Sequence, residues 1–263
     1  MIDTSRLEHI LREAGRMAMD RWPGGGNEVE RWEKAPGNPV CEADLALDRF
    51  LKRELMALLP SAGWLSEETL DDPARLDGGL VWIVDPIDGT RDFLRGRSGW
   101  CISVALVSEG RPLLGWLHAP ARDENWEARA GRGAFRNGER LSVSSRRELN
   151  GARFPSDGLA KVDRLFEPVA KPNSIALRIA MIAAGEADLL ATLRWGHEWD
   201  VAAACLIARE AGASVSDVLG QVMTFNKRDP RAFGLLVSAP AIHAAAAAHH
   251  AQRARSALSK AGC

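Results

Sequence analysis

Residues 81–90 read Val81-Trp82-Ile83-Val84-Asp85-Pro86-Ile87-Asp88-Gly89-Thr90. The apolar start of this stretch predicts a buried strand, and two carboxylates three positions apart follow it at once. Pro86 restrains the turn between the two carboxylates, and Gly89 lets the backbone approach a ligand closely. Hard cations such as Mg²⁺ prefer oxygen ligands of this kind, so the stretch indicates a metal site at the end of a strand.

An isolated Asp-x-x-Asp pair also has a plainer interpretation, as a polar loop after a strand. Other acids, however, lie at similar places: Glu67 and Glu68 follow an apolar segment, and Asp200 begins an apolar helix. Asp200 also fits a helix N-cap, which is compatible with metal binding. Four clustered carboxylates would repel one another without a cation, and two or more metal ions would relieve that repulsion.

The composition narrows the class of protein. The chain has 263 residues and a net charge of -1, and it has no basic stripe with interleaved aromatic residues, which argues against a nucleic-acid-binding module. The first 20 residues lack the apolar core of a signal peptide, and no apolar run approaches the ~18 residues of a membrane span. Four widely spaced cysteines favour reduced thiols, so we expect a cytoplasmic protein without a membrane segment.

The chain length predicts roughly two domains, or one large α/β domain, and the periodicity of apolar residues predicts its helices and strands. Thr4 or Ser5 would cap the first helix, and Asn137-Gly138 is typical of a hairpin turn. Helices are predicted over 4–21, 42–59, 174–184, 201–211 and 240–260, and strands over 63–66, 80–84, 100–107, 112–119, 188–192 and 213–218. An N-terminal α+β domain over 1–145 would carry most metal ligands, and a C-terminal α/β domain over 146–263 would carry Asp200 and the substrate contacts.

Five motifs, in order along the chain, resemble those of the inositol monophosphatase superfamily of Mg²⁺-dependent, lithium-sensitive phosphatases. Residues 85–90 resemble the family signature. The others are Lys34 with Asn38-Pro39-Val40-Cys41-Glu42-Ala43-Asp44, Ser66-Glu67-Glu68, the hairpin over 131–138, and Trp199-Asp200-Val201-Ala202-Ala203 with Glu210-Ala211-Gly212. The resemblance runs from about residue 30 to 243. It implies a layered α-β-α-β-α sandwich and, commonly, a homodimer.

The resemblance also implies roles for individual residues. Two or three Mg²⁺ ions would be held by Glu67, Asp85, Asp88, Asp200 and the carbonyl of Ile87. Asp44 and Thr90, with Glu67, would form the catalytic set that orients and deprotonates an attacking water. The substrate would be bound by Gly89, Thr90, Arg91 and Arg178. Glu68 would contact the metal-binding residues or support a further metal, and Lys34 would contact the metal-binding residues. Water is expected to attack phosphorus in line without a phosphoenzyme.

Several residues depart from the family pattern or bear on the substrate. Cys41 replaces the usual Thr, and a buried thiol is favoured over a reactive one. Leu193 lies where inositol-specific members carry an acid, which argues against inositol phosphate. Residues 91–93 and 198–200 resemble 3'(2'),5'-bisphosphate nucleotidases, which convert phosphoadenosine phosphate to AMP. Arg178 is either a contact to a second phosphate or a solvated helix residue.

The identity of the substrate and one other class of protein therefore stay open. A small phosphate ester is expected, with a bisphosphate nucleotide slightly favoured over inositol 1-phosphate or another small sugar or alcohol phosphate. An inactive, phosphate-binding regulatory protein on the same fold would be indicated by loss of a metal-binding acid or of the pair Asp44 and Thr90, and none of these is lost.

Overall fold

The computed structural model describes residues 2–26, 30–35 and 38–261. Its helices are α1 Thr4–Met19, α2 Glu42–Leu58, α3 Thr90–Leu94, α4 Ile175–Ala183, α5 Glu198–Glu210 and α6 His243–Ala261. Its first nine strands are β1 Arg31–Ala35, β2 Asn38–Cys41, β3 Gly63–Ser66, β4 Leu80–Asp88, β5 Cys101–Ser108, β6 Arg111–Ala119, β7 Glu124–Arg129, β8 Gly133–Arg136 and β9 Glu139–Arg140. The remaining strands are β10 Arg153–Pro155, β11 Glu167–Val169, β12 Leu189–His197, β13 Ser214–Ser216 and β14 Arg231–Ser238.

The helices and the two larger sheets form five layers. A seven-stranded sheet, ordered β3-β4-β5-β6-β7-β8-β9, is covered on one face by α1 and α2 and on the other by α4 and α5. A three-stranded sheet, ordered β12-β14-β13, packs on the far side of α4 and α5, and α6 covers it in turn. The α-β-α-β-α sandwich expected from the sequence is therefore confirmed.

Strand β4 lies inside the large sheet, with both faces buried. Val81 and Ile83 pack against the α4–α5 layer, whereas Trp82 and Val84 pack against the α1–α2 layer. Successive side chains of a strand point to opposite faces, so a strand buried on both sides needs a continuous apolar run. This is why the stretch that begins at residue 81 contains no polar residue before Asp85.

The strand pairing explains why acids far apart in the sequence reach one edge of the sheet. Strands β3 and β4 are parallel, and Ser66 is paired with Val84. The next residues, Glu67 just after β3 and Asp85 within β4, are therefore neighbours at the same end of the two strands. All other neighbours in this sheet are antiparallel.

Some local predictions were wrong. The cap of α1 is Asp3 rather than Thr4 or Ser5, because the Asp3 carboxylate accepts the amide of Arg6 at 3.0 Å. Strand β4 does not end at residue 84 but continues, with an irregular register, to Asp88. Strand β12 extends to His197, and β14 was not predicted. The hairpin turn is confirmed, since Asn137 and Gly138 both have positive φ.

None of the helices in the described ranges combines the length and the apolar character that crossing a bilayer requires.

Candidate metal and phosphate site

Four carboxylates from separate parts of the chain line one cavity of about 760 Å³. Its acidic side is formed by Glu67, Asp85, Asp88 and Asp200. Ile87, Gly89, Thr90 and Arg91 also line it. The sequence analysis required these acids to converge, and the structure brings them together.

Asp85 is the most deeply placed of these acids, with 2% of its surface exposed. Burial raises the pKa of its carboxyl well above the ordinary value, and the charges of Glu67 and Asp88 raise it further. Its Oδ1 accepts the amide of Ile87 at 3.0 Å, which fixes the carboxylate beside the turn. A buried carboxylate next to other carboxylates favours either a proton or a cation.

Asp88 joins the end of β4 to the start of α4. Its Oδ2 accepts the Ser174 hydroxyl at 2.5 Å and the Ala176 amide at 2.7 Å. Burial raises its pKa to about 6, although these hydrogen bonds oppose the shift. Sequence reasoning missed Ser174, whose only local signal is that it caps an apolar helix.

Asp200 lies in the first turn of α5, at the third helical position and not at the N-cap. The N-cap residue is His197, whose amide donates to Asp200 Oδ2 at 3.0 Å, so the N-cap interpretation of Asp200 was wrong by one turn. Burial, followed by the charge of Asp88, raises the pKa of Asp200 to about 8.

Asp44 occupies the equivalent position in α2. The amide and the thiol of Cys41 donate to its Oδ2 at 2.8 and 2.9 Å. The Thr90 hydroxyl lies 3.5 Å from Oδ1 of Asp44 and 3.0 Å from the Ile87 carbonyl oxygen. Cys41 is buried, and burial raises the pKa of its thiol far above the ordinary range, so the thiol is a neutral donor rather than a nucleophile.

The turn between β4 and α3 depends on Gly89. Its φ is +98°, and a β-carbon there would lie 2.8 Å from the Gly99 carbonyl oxygen and 3.0 Å from the Ser174 amide nitrogen. Only glycine fits this position without a shift of the backbone. Thr90 is the first residue of α3, so the amides at this turn lie at the edge of the cavity.

Of the remaining predicted site residues, some line the cavity and others do not. Arg91 is exposed and lines the cavity, and Arg178 lines it from α4. Arg178 donates to the carbonyl oxygens of Pro172 and Asn173, both at 2.8 Å. Glu68 is not among the cavity-lining residues, and the side chain of Lys34 lies outside the described residues.

Asp92 and Phe93, which carried part of the nucleotidase resemblance, are both buried. The Asp92 carboxylate accepts the Asn173 amide at 3.0 Å. Phe93 meets Trp100 edge to face, with ring centroids 4.9 Å apart. Their contacts therefore stabilise the loop before α4 and the core.

A second group of possible metal ligands lies elsewhere, at Asp163, His249 and His250. The Arg253 guanidinium already donates to both oxygens of Asp163, at 2.8 and 2.6 Å. Because a cation would have to displace this ion pair, the group is better described as a salt-bridge network.

The acidic side of the cavity fits hard divalent cations. Its donor set consists of carboxylate and carbonyl oxygens, and raised pKa values show how costly the carboxylate charges are without compensation. Two cations in such a cluster would neutralise most of that charge.

The sequence profile of the inositol monophosphatase family matches residues 4–257. The chain belongs to this family. It is therefore a member of a family of phosphoric monoester hydrolases that is generally Mg²⁺-dependent. The family resemblance proposed from the five motifs is confirmed.

This chain is similar to relatives that are named for different phosphatase activities. The fructose-1,6-bisphosphatase/inositol-1-monophosphatase of Thermotoga maritima is 33% identical over 222 residues, which cover 81% of this chain and 83% of the relative. The 3'(2'),5'-bisphosphate nucleotidase CysQ of Aggregatibacter actinomycetemcomitans is 30% identical over 210 residues, which cover 74% of this chain and 78% of the relative. The solved inositol monophosphatase structure from Thermotoga maritima superimposes with a TM-score of 0.81 at 29% identity, over 97% of this chain and 99% of the other.

Proposed function

We propose that this protein is a Mg²⁺-dependent phosphomonoesterase that hydrolyses small phosphate esters by direct, in-line attack of water. The observation that carries the proposal is the convergence of Glu67, Asp85, Asp88 and Asp200 on one cavity beside the glycine turn at residue 89. Membership of the family supports the same reaction.

The roles of individual residues are proposed from the family resemblance. The four carboxylates and the Ile87 carbonyl would hold two or three Mg²⁺ ions. When bound, the cations would supply a water of lowered pKa and would stabilise negative charge on the phosphoryl and leaving oxygens. Glu68 and Lys34 stay predictions for supporting residues.

The chain's own residues position the water and the phosphate. The Thr90 hydroxyl lies 3.5 Å from Asp44 Oδ1, so it can orient a water whose proton passes to the Asp44 carboxylate, with Glu67 as the third member of the proposed catalytic set. The Gly89 and Thr90 amides would bind phosphate oxygens, and Arg91 and Arg178 would add positive charge at the mouth.

For the substrate, we propose a 3'(2'),5'-bisphosphate nucleotide over inositol 1-phosphate. Leu193 lines the cavity, so an apolar side chain lies where a polyol would need a polar partner. Similar relatives are named for each of the two activities, so inositol 1-phosphate stays the alternative substrate. Asp92 and Phe93 are buried and have structural contacts, so they do not support the nucleotide. The support comes from Leu193 in the lining of the cavity.

A substrate panel with Mg²⁺ tests this function. Phosphate release would be measured from phosphoadenosine phosphate, inositol 1-phosphate, fructose 1,6-bisphosphate and histidinol phosphate, each with and without EDTA. Mg²⁺-dependent turnover with the largest kcat/KM for phosphoadenosine phosphate is expected. Trapping a covalent phosphoenzyme would refute direct attack by water, and binding of phosphate esters without any hydrolysis would favour an inactive regulatory protein.

We further propose that the enzyme works as a homodimer in the cytoplasm and is inhibited by lithium. Cys41, Cys101 and Cys205 are free and buried, which fits a reducing compartment. The dimer and lithium sensitivity follow from the family pattern. Light scattering on the purified protein, and activity assays with added LiCl, test these two points.

A further inference from the structure

The cavity that holds the carboxylates is also lined by basic residues. Besides Arg91, three cationic residues line it: Lys171, Arg178 and Arg194. Of these, the sequence analysis identified only Arg178. A single scissile phosphate beside metal ions is already surrounded by positive charge, so a separate group of cations calls for its own explanation.

Arg178 is held by the protein itself. Its Nε and one terminal nitrogen donate to the carbonyl oxygens of Pro172 and Asn173, and 2.8 Å separates the atoms in each bond. These bonds fix the loop that leads into α4. Arg178 therefore contributes charge to the cavity, while much of its donor capacity is used by the loop.

Lys171 is also partly engaged. Its ammonium lies 2.7 Å from the carboxylate of Asp157, whose side chain is 77% exposed. An exposed ion pair of this kind is weak, so Lys171 remains available to an anion at the mouth of the cavity.

Arg194 is placed by a β-bulge. Thr192 is paired with Leu235, and Trp195 is paired with Phe233, so Leu193 and Arg194 together lie opposite the single residue Gly234. Gly234 has a φ of +70°, and a β-carbon there would lie 2.3 Å from Val218 Cγ1. Bulges often redirect a side chain beside a site, and here both bulged residues line the cavity.

The guanidinium of Arg194 makes no hydrogen bond or ion pair with any residue in the described part of the chain. It lies close enough to Arg178 to lower the pKa of that guanidinium, although burial is the larger cause. Arg194 also lies close enough to Asp200 for its charge to oppose the rise in the pKa of that carboxyl. The two like charges of Arg178 and Arg194 repel each other, and a bound anion would relieve that repulsion.

We propose that Arg194, together with Lys171, binds a second anionic group of the substrate, such as a phosphate on a carbon other than the one whose ester is cleaved. This inference rests on the proposed function and narrows its substrates to bisphosphates. Both a nucleoside bisphosphate and a sugar bisphosphate offer the required chemistry. Leu193, next to Arg194, provides an apolar contact and no hydrogen bond for a hydroxyl at this end of the cavity.

Kinetics on matched pairs of substrates test the proposal. Phosphoadenosine phosphate is compared with 3'-AMP, and fructose 1,6-bisphosphate with fructose 1-phosphate, using the unaltered chain and Arg194→Gln. We expect the variant to raise KM for at least one bisphosphate roughly 10- to 100-fold, the range of a lost charge-assisted contact, with little change for its monophosphate. Arg111→Gln removes an exposed charge outside the cavity and serves as the control.

The two pairs also distinguish the two sources of the second phosphate. An effect confined to the adenosine pair indicates a nucleotide, and one confined to the fructose pair indicates a sugar. Equal losses on a bisphosphate and its monophosphate would show that Arg194 contacts the scissile phosphate and would overturn the proposal. No change in any KM would overturn it as well.

Binding separates failure of this inference from failure of the proposed function. Calorimetric titration of phosphoadenosine phosphate and of 3'-AMP, with Mg²⁺ present, is made on Asp44→Asn and on Asp44→Asn with Arg194→Gln. A preference for the bisphosphate that Arg194→Gln abolishes supports the subsite, even if the unaltered chain hydrolyses neither compound. Equal affinity for the two compounds in Asp44→Asn contradicts the subsite, whether or not the phosphatase activity is found.

Discussion

Asp88 connects the proposed metal site to the fold, and its charge can be removed with little change of shape. Asp88→Asn keeps an oxygen for the Ser174 hydroxyl and the Ala176 amide but loses an anionic ligand. We expect Mg²⁺-dependent phosphate release to fall by roughly 100-fold or more while the far-ultraviolet circular dichroism spectrum is unchanged.

Asp229→Asn is the matched control for Asp88→Asn, because Asp229 is an acid outside the cavity that pairs with nearby Arg231. Its activity is expected to equal that of the unaltered chain. Retention of full Mg²⁺-dependent activity in Asp88→Asn would count against the assignment of the whole carboxylate cluster.

Cys41 holds Asp44 in place, which gives a buried thiol a positioning role. Cys41→Ala removes the donor 2.9 Å from Asp44 Oδ2, whereas Cys41→Ser retains a donor of similar size. We expect kcat to fall roughly tenfold in Cys41→Ala, equivalent to about 1.4 kcal/mol, with little change in KM and with recovery in Cys41→Ser. Equal activity of the two variants would show that the thiol contact has no catalytic consequence.

The sequence indicated the acids of the site more readily than its basic residues. Asp85 and Asp88 follow an apolar strand, so a local pattern marks them. No local sequence pattern identifies Arg194. Its position in the cavity depends on a β-bulge opposite Gly234, which lies forty residues later in the chain. Ser174 could be identified as a helix cap, but not as the partner of Asp88.

The turn from β4 into α3 is the element on which phosphate binding depends. Gly89→Ala places a methyl group against the Gly99 carbonyl and the Ser174 amide at a backbone angle that disfavours alanine. We expect a loss of about 1–3 kcal/mol in the free energy of unfolding and a large loss of activity, measured by urea denaturation and phosphate release.

Gly138→Ala provides the comparison for the Gly89 prediction. Gly138 has a φ of +81°, but a β-carbon there would have no atom within 4 Å. Gly138→Ala therefore places alanine at an unfavourable positive φ but creates no close contact. The residue lies in a hairpin outside the cavity. Equal destabilisation of the two variants would show that close packing around Gly89 contributes nothing.

The ends of elements were less predictable than the elements themselves. Apolar periodicity identified β4, but not its continuation to Asp88, because polar residues at a strand end carry no alternating pattern. Strand β14 pairs with both β12 and β13, and such long-range pairing leaves little local signal.

The carboxylate cluster should make the stability of the whole molecule depend on divalent cations and pH. The folded pKa values of Asp88 and Asp200, about 6 and about 8, are raised above their ordinary value of 3.8. A carboxyl with a raised folded pKa binds more protons when folded, so its contribution to stability falls as the pH rises from about 4 through the folded value. Bound Mg²⁺ would offset that loss.

Thermal unfolding with Mg²⁺ or with EDTA, at equal ionic strength, tests this dependence. We expect Mg²⁺ to raise Tm at pH 8 and to raise it less at pH 5.5, where protons compete for the same oxygens. The comparison at each pH cancels the contribution of other groups, such as His250, whose pKa burial lowers to about 4. An equal Mg²⁺ effect at both pH values would contradict the prediction.

The division into domains over 1–145 and 146–263 stays a prediction. The core between the large sheet and the α4–α5 layer contains residues from both ranges, including Ile83 and Ile179.

The hydrogen bonds between Asp88 and the start of α4 also determine when the site can form during synthesis of the chain. The partners of this carboxylate, Ser174 and Ala176, lie 86 and 88 residues further along the chain, and Asp200 comes later still. A nascent polypeptide that has exposed only its first 150 residues cannot assemble this constellation. The proposed ester cleavage would therefore begin only after α4 and α5 have been synthesised and have packed against the large sheet.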